Sequence, residues 1–329
     1  MSCVVTICLP VYNGSKYLAK SLNCICNQTY QKLEILIIDD CSTDESNNII
    51  KTFCRKDPRM VHLKNETHLG MVKNWNKCIK HATGEWIKFQ FQDDYMKPET
   101  VEKLLSAAKK SKVKLAISDR SYFTEKEQTK HLKIHRLNKK LANYFPKGGL
   151  IYPEQVIDTF NSDILNYNFL GEPIVGLMHK DLFKEYGYFD EALDQIVDFE
   201  FWMRICFNKK FVLINKDLNK FHIHSKSQSN LNRFKKGVGP TISDRVYVVN
   251  KLLKHPVYSD YLSYSLKNQA NFEDLVTLFF KKLILKTGYL RFKKSFSENI
   301  NYLTDLSFIQ KLIAFLKDIE MFIDKLIKR

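Results

Sequence analysis

Short apolar runs, each closed by a cluster of polar residues, pattern the first hundred residues. Val4 to Val11 runs into Tyr12-Asn13-Gly14, and Leu33 to Ile38 runs into Asp39-Asp40-Cys41-Ser42-Thr43-Asp44. Aliphatic runs this short read as buried parallel strands. Between them Tyr17, Leu18, Leu22 and Ile25 recur at helical spacing, and Ser42, Thr43 and Asp44 open a second helix. Strand, helix, strand, helix in this order predicts a parallel sheet with right-handed crossovers. A further apolar run ends at Gln92-Asp93-Asp94. Ligands of open α/β sheets bind outside the carboxyl ends of the strands, so acids at two such ends can converge on one polar, phosphate-bearing molecule. Helix capping or turn formation is the competing role for either acid pair alone. No GxGxxG or GxxxxGK[ST] stands at these turns, which sets aside a dinucleotide fingerprint and a P-loop.

Four stretches, in order and at the expected spacing, resemble the inverting, GT-A-fold glycosyltransferases of family 2. They are Pro10-Val11-Tyr12-Asn13, Ile38-Asp39-Asp40-Cys41-Ser42-Thr43-Asp44, Ala82-Thr83-Gly84-Glu85-Trp86-Ile87 leading to Gln92-Asp93-Asp94, and Asp198-Phe199-Glu200-Phe201-Trp202-Met203-Arg204. The resemblance covers about residues 3 to 230. It implies an α/β fold: a mixed, mostly parallel, Rossmann-like sheet sandwiched by helices, with a catalytic domain over 1–235 and a helical, basic C-terminal region over 236–329.

The same resemblance implies a site. Pro10, Tyr12 and Asn13 line the base pocket of a nucleotide-sugar donor, and Asp40 accepts from the N–H of a uracil or thymine. Asp93 and Asp94 match a DxD-type motif in which carboxylates hold the ribose and a divalent ion, Mn²⁺ or Mg²⁺, bridges to the diphosphate. Hard oxygen ligands suit either ion, and substrate phosphates complete the shell. Asp94 is the expected metal ligand. Phe91 stands where many relatives carry a further acid. Asp198 matches the base that deprotonates the acceptor hydroxyl, with helix N-capping as its alternative or simultaneous role. Val197 replaces the Glu that many relatives place before it. The helix that follows reads as amphipathic through Phe201, Trp202, Ile205 and Cys206.

Two more stretches are candidates. Gly171-Glu172-Pro173 precedes a strand-like segment from Ile174 to Met178 and resembles a segment beside the acceptor, where Glu172 can bind a sugar hydroxyl. Phe221-His222-Ile223-His224 alternates with the period of a strand, so both imidazoles share one face. That face is either solvated or a ligand pair, and His224 is the candidate second metal ligand. Lys226 and Ser227-Gln228-Ser229 are candidates for a mobile lid on the phosphate side.

Composition narrows the setting. The 329 residues, 44% of them hydrophobic, suffice for one substantial core and an appended region. Eight cysteines show no paired CxxC, which predicts buried free thiols in a reducing compartment. Neither a signal peptide nor a membrane-length apolar run is found, so a cytoplasmic location is expected. The net charge of +16 concentrates in Lys109 to Lys147 and Lys281 to Lys294. No recognition motif interleaves aromatics with those lysines, so nucleic acid is not expected as a partner. An anionic membrane surface fits better, at the inner face of the plasma membrane; a uniformly lysine-rich composition is the bland alternative. In the tail, Ile309, Leu312, Leu316, Ile319, Ile323 and Leu326 form one helical stripe. It can pack internally, pair with a second chain, or lie in a lipid interface. The expected activity is inverting transfer from a UDP- or dTDP-sugar to a hydroxyl of a lipid-linked glycan in bacterial capsule or O-antigen synthesis. A sugar nucleotidyltransferase and a catalytically inactive scaffold at a membrane assembly site are the alternatives.

Overall fold

A computed structural model of the chain describes residues 4–124, 141–162, 168–224 and, beyond these, 244–245, 247–248, 251–252 and 255–268. The proposed lid at 226–229, residues 125–140 of the first basic segment, the whole second basic segment and the tail stripe all lie outside the described residues. By contacts the chain divides into two compact units, Met1–Asp163 with Tyr167–Leu231, and Ile164–Asn166 with Asn232–Arg329. In the second unit a 3₁₀ turn at Pro256–Tyr258 runs into a helix, Ser259–Asn268.

The first unit is built on a nine-stranded sheet. In chain order its strands are β1 (Val5–Val11), β2 (Leu33–Asp39), β3 (Met60–Lys64), β4 (Trp86–Phe89), β5 (Tyr95–Met96), β6 (Leu115–Phe123), β7 (Gly149–Ile151), β8 (Gly176–His179) and β9 (Phe211–His222). Their spatial order is β3-β2-β1-β4-β8-β6-β9-β5, with β7 also paired to β9. β3, β2, β1 and β4 are parallel, as are β6 and β9, while β8 runs antiparallel between β4 and β6. This is the expected mixed sheet, parallel over most of its paired length.

Helices supply the crossovers. They are α1 (Ser15–Cys26), α2 (Ser46–Cys54), α3 (Met71–His81), α4 (Thr100–Lys110), α5 (Leu141–Tyr144), α6 (Pro153–Ser162), α7 (Asp181–Tyr186) and α8 (Val197–Cys206). All seven residues of β1 are buried, as a central strand covered by helices on both faces requires. The buried Leu18, Leu22 and Ile25 of α1 join Ile7, Leu9 and Ile35 in one core. Only Gly fits between α3 and β4 at position 84, because a Cβ there would stand 2.6 Å from Thr6 Oγ1. The turn lies flat on β1 instead, with the Gly84 N–H donating to Thr6 Oγ1 at 2.9 Å and the Glu85 N–H to Val4 O at 3.0 Å.

Four sequence expectations need correction. Helix α2 starts at Ser46 rather than at Ser42, since residues 42–45 form the turn that ties β2 to α1. Asp198 does not cap α8; the N-cap is Ile196 and Asp198 lies in the first turn. α8 is not amphipathic either, because every residue but Asp198 is buried. Its polar residues survive inside because Glu200 and Arg204 pair at 2.8 Å and Arg204 also donates to the carbonyls of Tyr186 and Tyr188. Ile174 begins no strand, since Pro173–Val175 is a 3₁₀ turn and β8 starts at Gly176. Among the described cysteines all are free thiols, with Cys8, Cys78 and Cys206 buried and Cys24, Cys26, Cys41 and Cys54 half-buried.

Candidate active site

At the ends of β1 and β2 the polar turns interlock. Pro10 is buried within β1, while Tyr12 just past its end is exposed. Asn13 adopts a left-handed backbone, φ 47°, which Asn tolerates better than most residues. Its N–H donates to Ser42 Oγ and its Oδ1 accepts from the Thr43 N–H, both at 2.9 Å. Gln92 clips the same turn from the end of β4: Tyr12 N–H donates to Gln92 Oε1 at 2.9 Å, and Gln92 Nε2 donates to Tyr12 O at 3.1 Å. Asp40 turns inward. Its carboxylate accepts from Asn65 Nδ2 (2.7 Å) and the N–H groups of Leu69 (2.8 Å) and Gly70 (2.9 Å), and His68 Nδ1 lies 2.9 Å from Oδ2. The imidazole of His68 also stacks on Tyr12, with centroids 4.0 Å apart.

Asp93 and Asp94 face different partners. Asp93 Oδ2 meets His224 Nε2 at 2.7 Å, which joins the ends of β4 and β9. Asp94 is buried, and one oxygen accepts the His222 N–H at 2.8 Å while the other has no hydrogen-bond partner. Burial, then the neighbouring Asp93 charge, push the Asp94 carboxyl well above the usual carboxylate range, against the His222 N–H and Lys88. The two imidazoles do share a face, 4.9 Å apart and both against Tyr17, but that face is buried rather than solvated.

Beneath them lies a residue that the motifs did not mark. Lys88 is wholly buried in β4, and its ammonium donates to Phe89 O (2.9 Å), Asn219 Oδ1 (3.2 Å) and Ile174 O. Burial pulls its pKa down to about 7, against the Asp94 charge. The only sequence signal is a lone Lys inside the apolar Trp86-Ile87-Lys88-Phe89.

The third group of residues surrounds Asp198. Glu172 forms an ion pair with the buried Arg120, Nε to Oε2 2.6 Å. Burial alone would lower the Arg120 pKa, but Glu172, Tyr122 and Asp119 together more than offset it and the guanidinium stays charged. Arg120 had no sequence signal; it sits where the β6–β9 pairing shifts register, opposite extra residues of β9 between Ile214 and Asn219. Burial, then the Glu172 charge, push Asp198 up to about 7. Trp202, one turn along α8, donates its indole N–H to Gly171 O at 2.7 Å, and Asn168 brackets the same peptide at 2.9 and 3.0 Å. Gly171 has φ +101°, and a Cβ there would collide with the Arg120 guanidinium. The Glu172 charge raises both Asp94 and Asp198, so the acid before β5 and the acid in α8 lie within electrostatic reach of one carboxylate.

Residues 6–165 match the model of Glycosyl transferase family 2. That stretch, just under half of the chain, belongs to the family. The chain is 27% identical over 218 residues to the uncharacterized protein MT1568 of Mycobacterium tuberculosis, covering 66% of each chain. It is 32% identical over 127 residues to the glycosyltransferase GlyG of Streptococcus pneumoniae, over 39% of this chain and 42% of that one. The match thus spans two thirds or less of both relatives. Among solved structures the fold resembles S. aureus TarS 1-349 in complex with UDP-GlcNAc, with TM-score 0.56, 16% identity and 91% and 81% of the two chains covered. It also resembles the mannosyltransferase PcManGT of Pyrobaculum calidifontis in complex with GDP-Man and Mn²⁺, with TM-score 0.52, 14% identity and 91% and 85% covered.

Proposed function

We propose that this glycosyltransferase moves a sugar from a UDP- or dTDP-activated donor to a hydroxyl of a growing, lipid-linked glycan of the bacterial surface, capsule or O-antigen, with inversion at the anomeric carbon. The observation that carries the reading is the pair of carboxyls that both feel the Glu172 charge: Asp94, buried beside Asp93 and raised well above the usual carboxylate range, and Asp198, raised to about 7, in the first turn of α8. A carboxylate with a pKa near the working pH is the form that general-base catalysis needs. In the proposed step Asp198 takes the proton of the acceptor hydroxyl as its oxygen bonds to the anomeric carbon. The bond from that carbon to the diphosphate breaks on the opposite face. Glu172, oriented by Arg120, serves a sugar hydroxyl.

Tyr12, Asn13 and Pro10 form the base end of the donor site, with Asp40 as the acceptor for the pyrimidine N–H. Among the described residues no three His, Cys, Asp or Glu side chains form a ready metal cage. The donor set still suits a hard divalent ion that keeps water and takes phosphate oxygens, because Asp94 has an unpartnered buried oxygen and the adjacent Asp93 pairs with His224. Asp94, with Asp93 and His224 adjoining, would hold Mn²⁺ or Mg²⁺, and the ion supplies Lewis-acid stabilisation of the departing diphosphate. The Mn²⁺ in the PcManGT complex and the UDP-GlcNAc in the TarS complex support this reading by analogy of fold. The division into a catalytic domain over 1–235 and a helical region over 236–329 belongs to the same proposal, as does peripheral attachment of a cytoplasmic enzyme to an anionic membrane.

A thermal-shift series with UDP, dTDP, GDP and CMP, with and without Mn²⁺, tests it. The expected result is a metal-dependent rise in melting temperature with UDP or dTDP that disappears in Asp94→Ala. No shift with any nucleotide under either condition would favour the inactive scaffold instead.

A further inference from the structure

The carboxylate of Asp40 has about four acceptor positions, and three protein donors and one imidazole surround it. Asn65 Nδ2 and the Leu69 N–H lie on Oδ1 at 2.7 and 2.8 Å, and the Gly70 N–H lies on Oδ2 at 2.9 Å. His68 Nδ1 stands 2.9 Å from Oδ2, with its hydrogen bond to the Asp40 main-chain carbonyl at 3.3 Å. The three donors are fixed. Two are backbone groups of one turn, and Asn65 is buried and bonded in addition to Asn74 Oδ1 at 3.1 Å. His68 differs, because its side chain is 49% exposed and swings on its own torsions. It lies flat on the ring of Tyr12, centroids 4.0 Å apart and planes 28° from parallel.

A flat ring on Tyr12 with a ring nitrogen on Asp40 is the pair of contacts that the proposed function assigns to the pyrimidine of the donor. We propose that His68 is the protein's own occupant of the nucleobase site, an intramolecular competitor that the uracil or thymine of the donor displaces. The inference rests on the donor-site reading above. On exchange the base N–H takes the acceptor position that Nδ1 leaves, and the base takes the face of Tyr12 that the imidazole leaves. Asp40 therefore keeps its three protein donors throughout and gains a fourth from the base N–H. A ring that offers a lone pair at that atom, as cytosine does, would set it against the carboxylate and supply no donor. Between turnovers His68 covers Tyr12, itself 42% exposed, so neither the aromatic face nor the carboxylate stands open to water. The cost is a donor affinity lower than the bare site would have.

Isothermal titration of the full-length chain with UDP in the presence of Mn²⁺, wild type against His68→Ala, tests this. Removing a competitor stacked on Tyr12 and in contact with the carboxylate should tighten the dissociation constant about threefold to tenfold. A second measurement needs no variant: in the wild type the His68 Hε1 proton resonance, shielded over Tyr12, should move downfield as UDP saturates the site. Unchanged or weaker affinity in His68→Ala, or an unmoved Hε1 resonance while UDP binds, overturns the proposal and leaves the donor site standing. If neither protein binds UDP, the donor-site reading itself fails and the competitor falls with it.

Discussion

Asp198 is expected to set the pH dependence, since a general base works only when ionised. With its carboxyl raised to about 7 by burial and then by Glu172, kcat/KM should rise tenfold per pH unit below about 7 and level off above it. An initial-rate profile across that range checks the slope and the bend. The same shift has a stability consequence with a definite sign. The folded carboxyl keeps its proton to higher pH than the unfolded one, whose pKa is about 4, so stability falls as pH rises between about 4 and about 7. Asp198→Asn removes that loss. The variant should melt higher than wild type at pH 8 by differential scanning calorimetry, while transfer drops by about 10²–10⁴-fold. Lys88 is the other residue with two claims on it. Lys88→Met leaves the carbonyls of Phe89 and Ile174 and the Asn219 amide oxygen without that donor. A loss of about 1–3 kcal/mol follows, read as a lower urea midpoint at unchanged slope. Motif spacing singles out Asp93, Asp94, Asp198 and Glu172 as candidates, because side-chain chemistry at strand and helix ends is written locally. Arg120 and Lys88 were out of reach, since what makes them matter is who lies opposite across the sheet.

At the level of elements, α8 is held to the turn before β8 by one aromatic side chain. Trp202 lies between Gly171, whose carbonyl it bonds, and Gly176, where a Cβ would stand 2.7 Å from the indole. That contact sets Asp198 relative to Glu172. Trp202→Phe keeps most of the packing and drops the N–H, so it should cost about 1 kcal/mol in stability, yet lower kcat more than it raises KM. Steady-state kinetics with a titratable acceptor separates the two effects. The elements themselves were legible wherever period and length agreed, as in β1, α1 and β2. The periodic reading failed at α8, because a helix enclosed on all sides buries its Glu200–Arg204 pair as well as its aromatics. It also left His222 and His224 open between a solvated face and a ligand face. Only the packing of both rings against Tyr17 decides that they are enclosed.

For the whole molecule, the surplus of cations is the property that one catalytic pocket does not use. Among the described residues no helix is long and apolar enough to cross a membrane. Attachment, if charge supplies it, is therefore expected to be screened by salt. The full chain should sediment with phosphatidylglycerol vesicles at low ionic strength and stay in solution at about 1 M salt, where the Debye length is about 3 Å. Equal sedimentation with neutral phosphatidylcholine vesicles would remove the electrostatic account.

The strand order also bears on how this chain can be cut. The family match ends at residue 165, before β8 enters the sheet between β4 and β6 and before β9 joins β6. A fragment stopping there would keep the polar turns after β1 and β2 yet leave β4 with one bare edge and β6 without either of its partners. Open edges of that kind pair with other copies. The stretch of sequence that defines kinship is thus not a stretch that folds alone, and a protein shortened to it is expected in inclusion bodies rather than in solution.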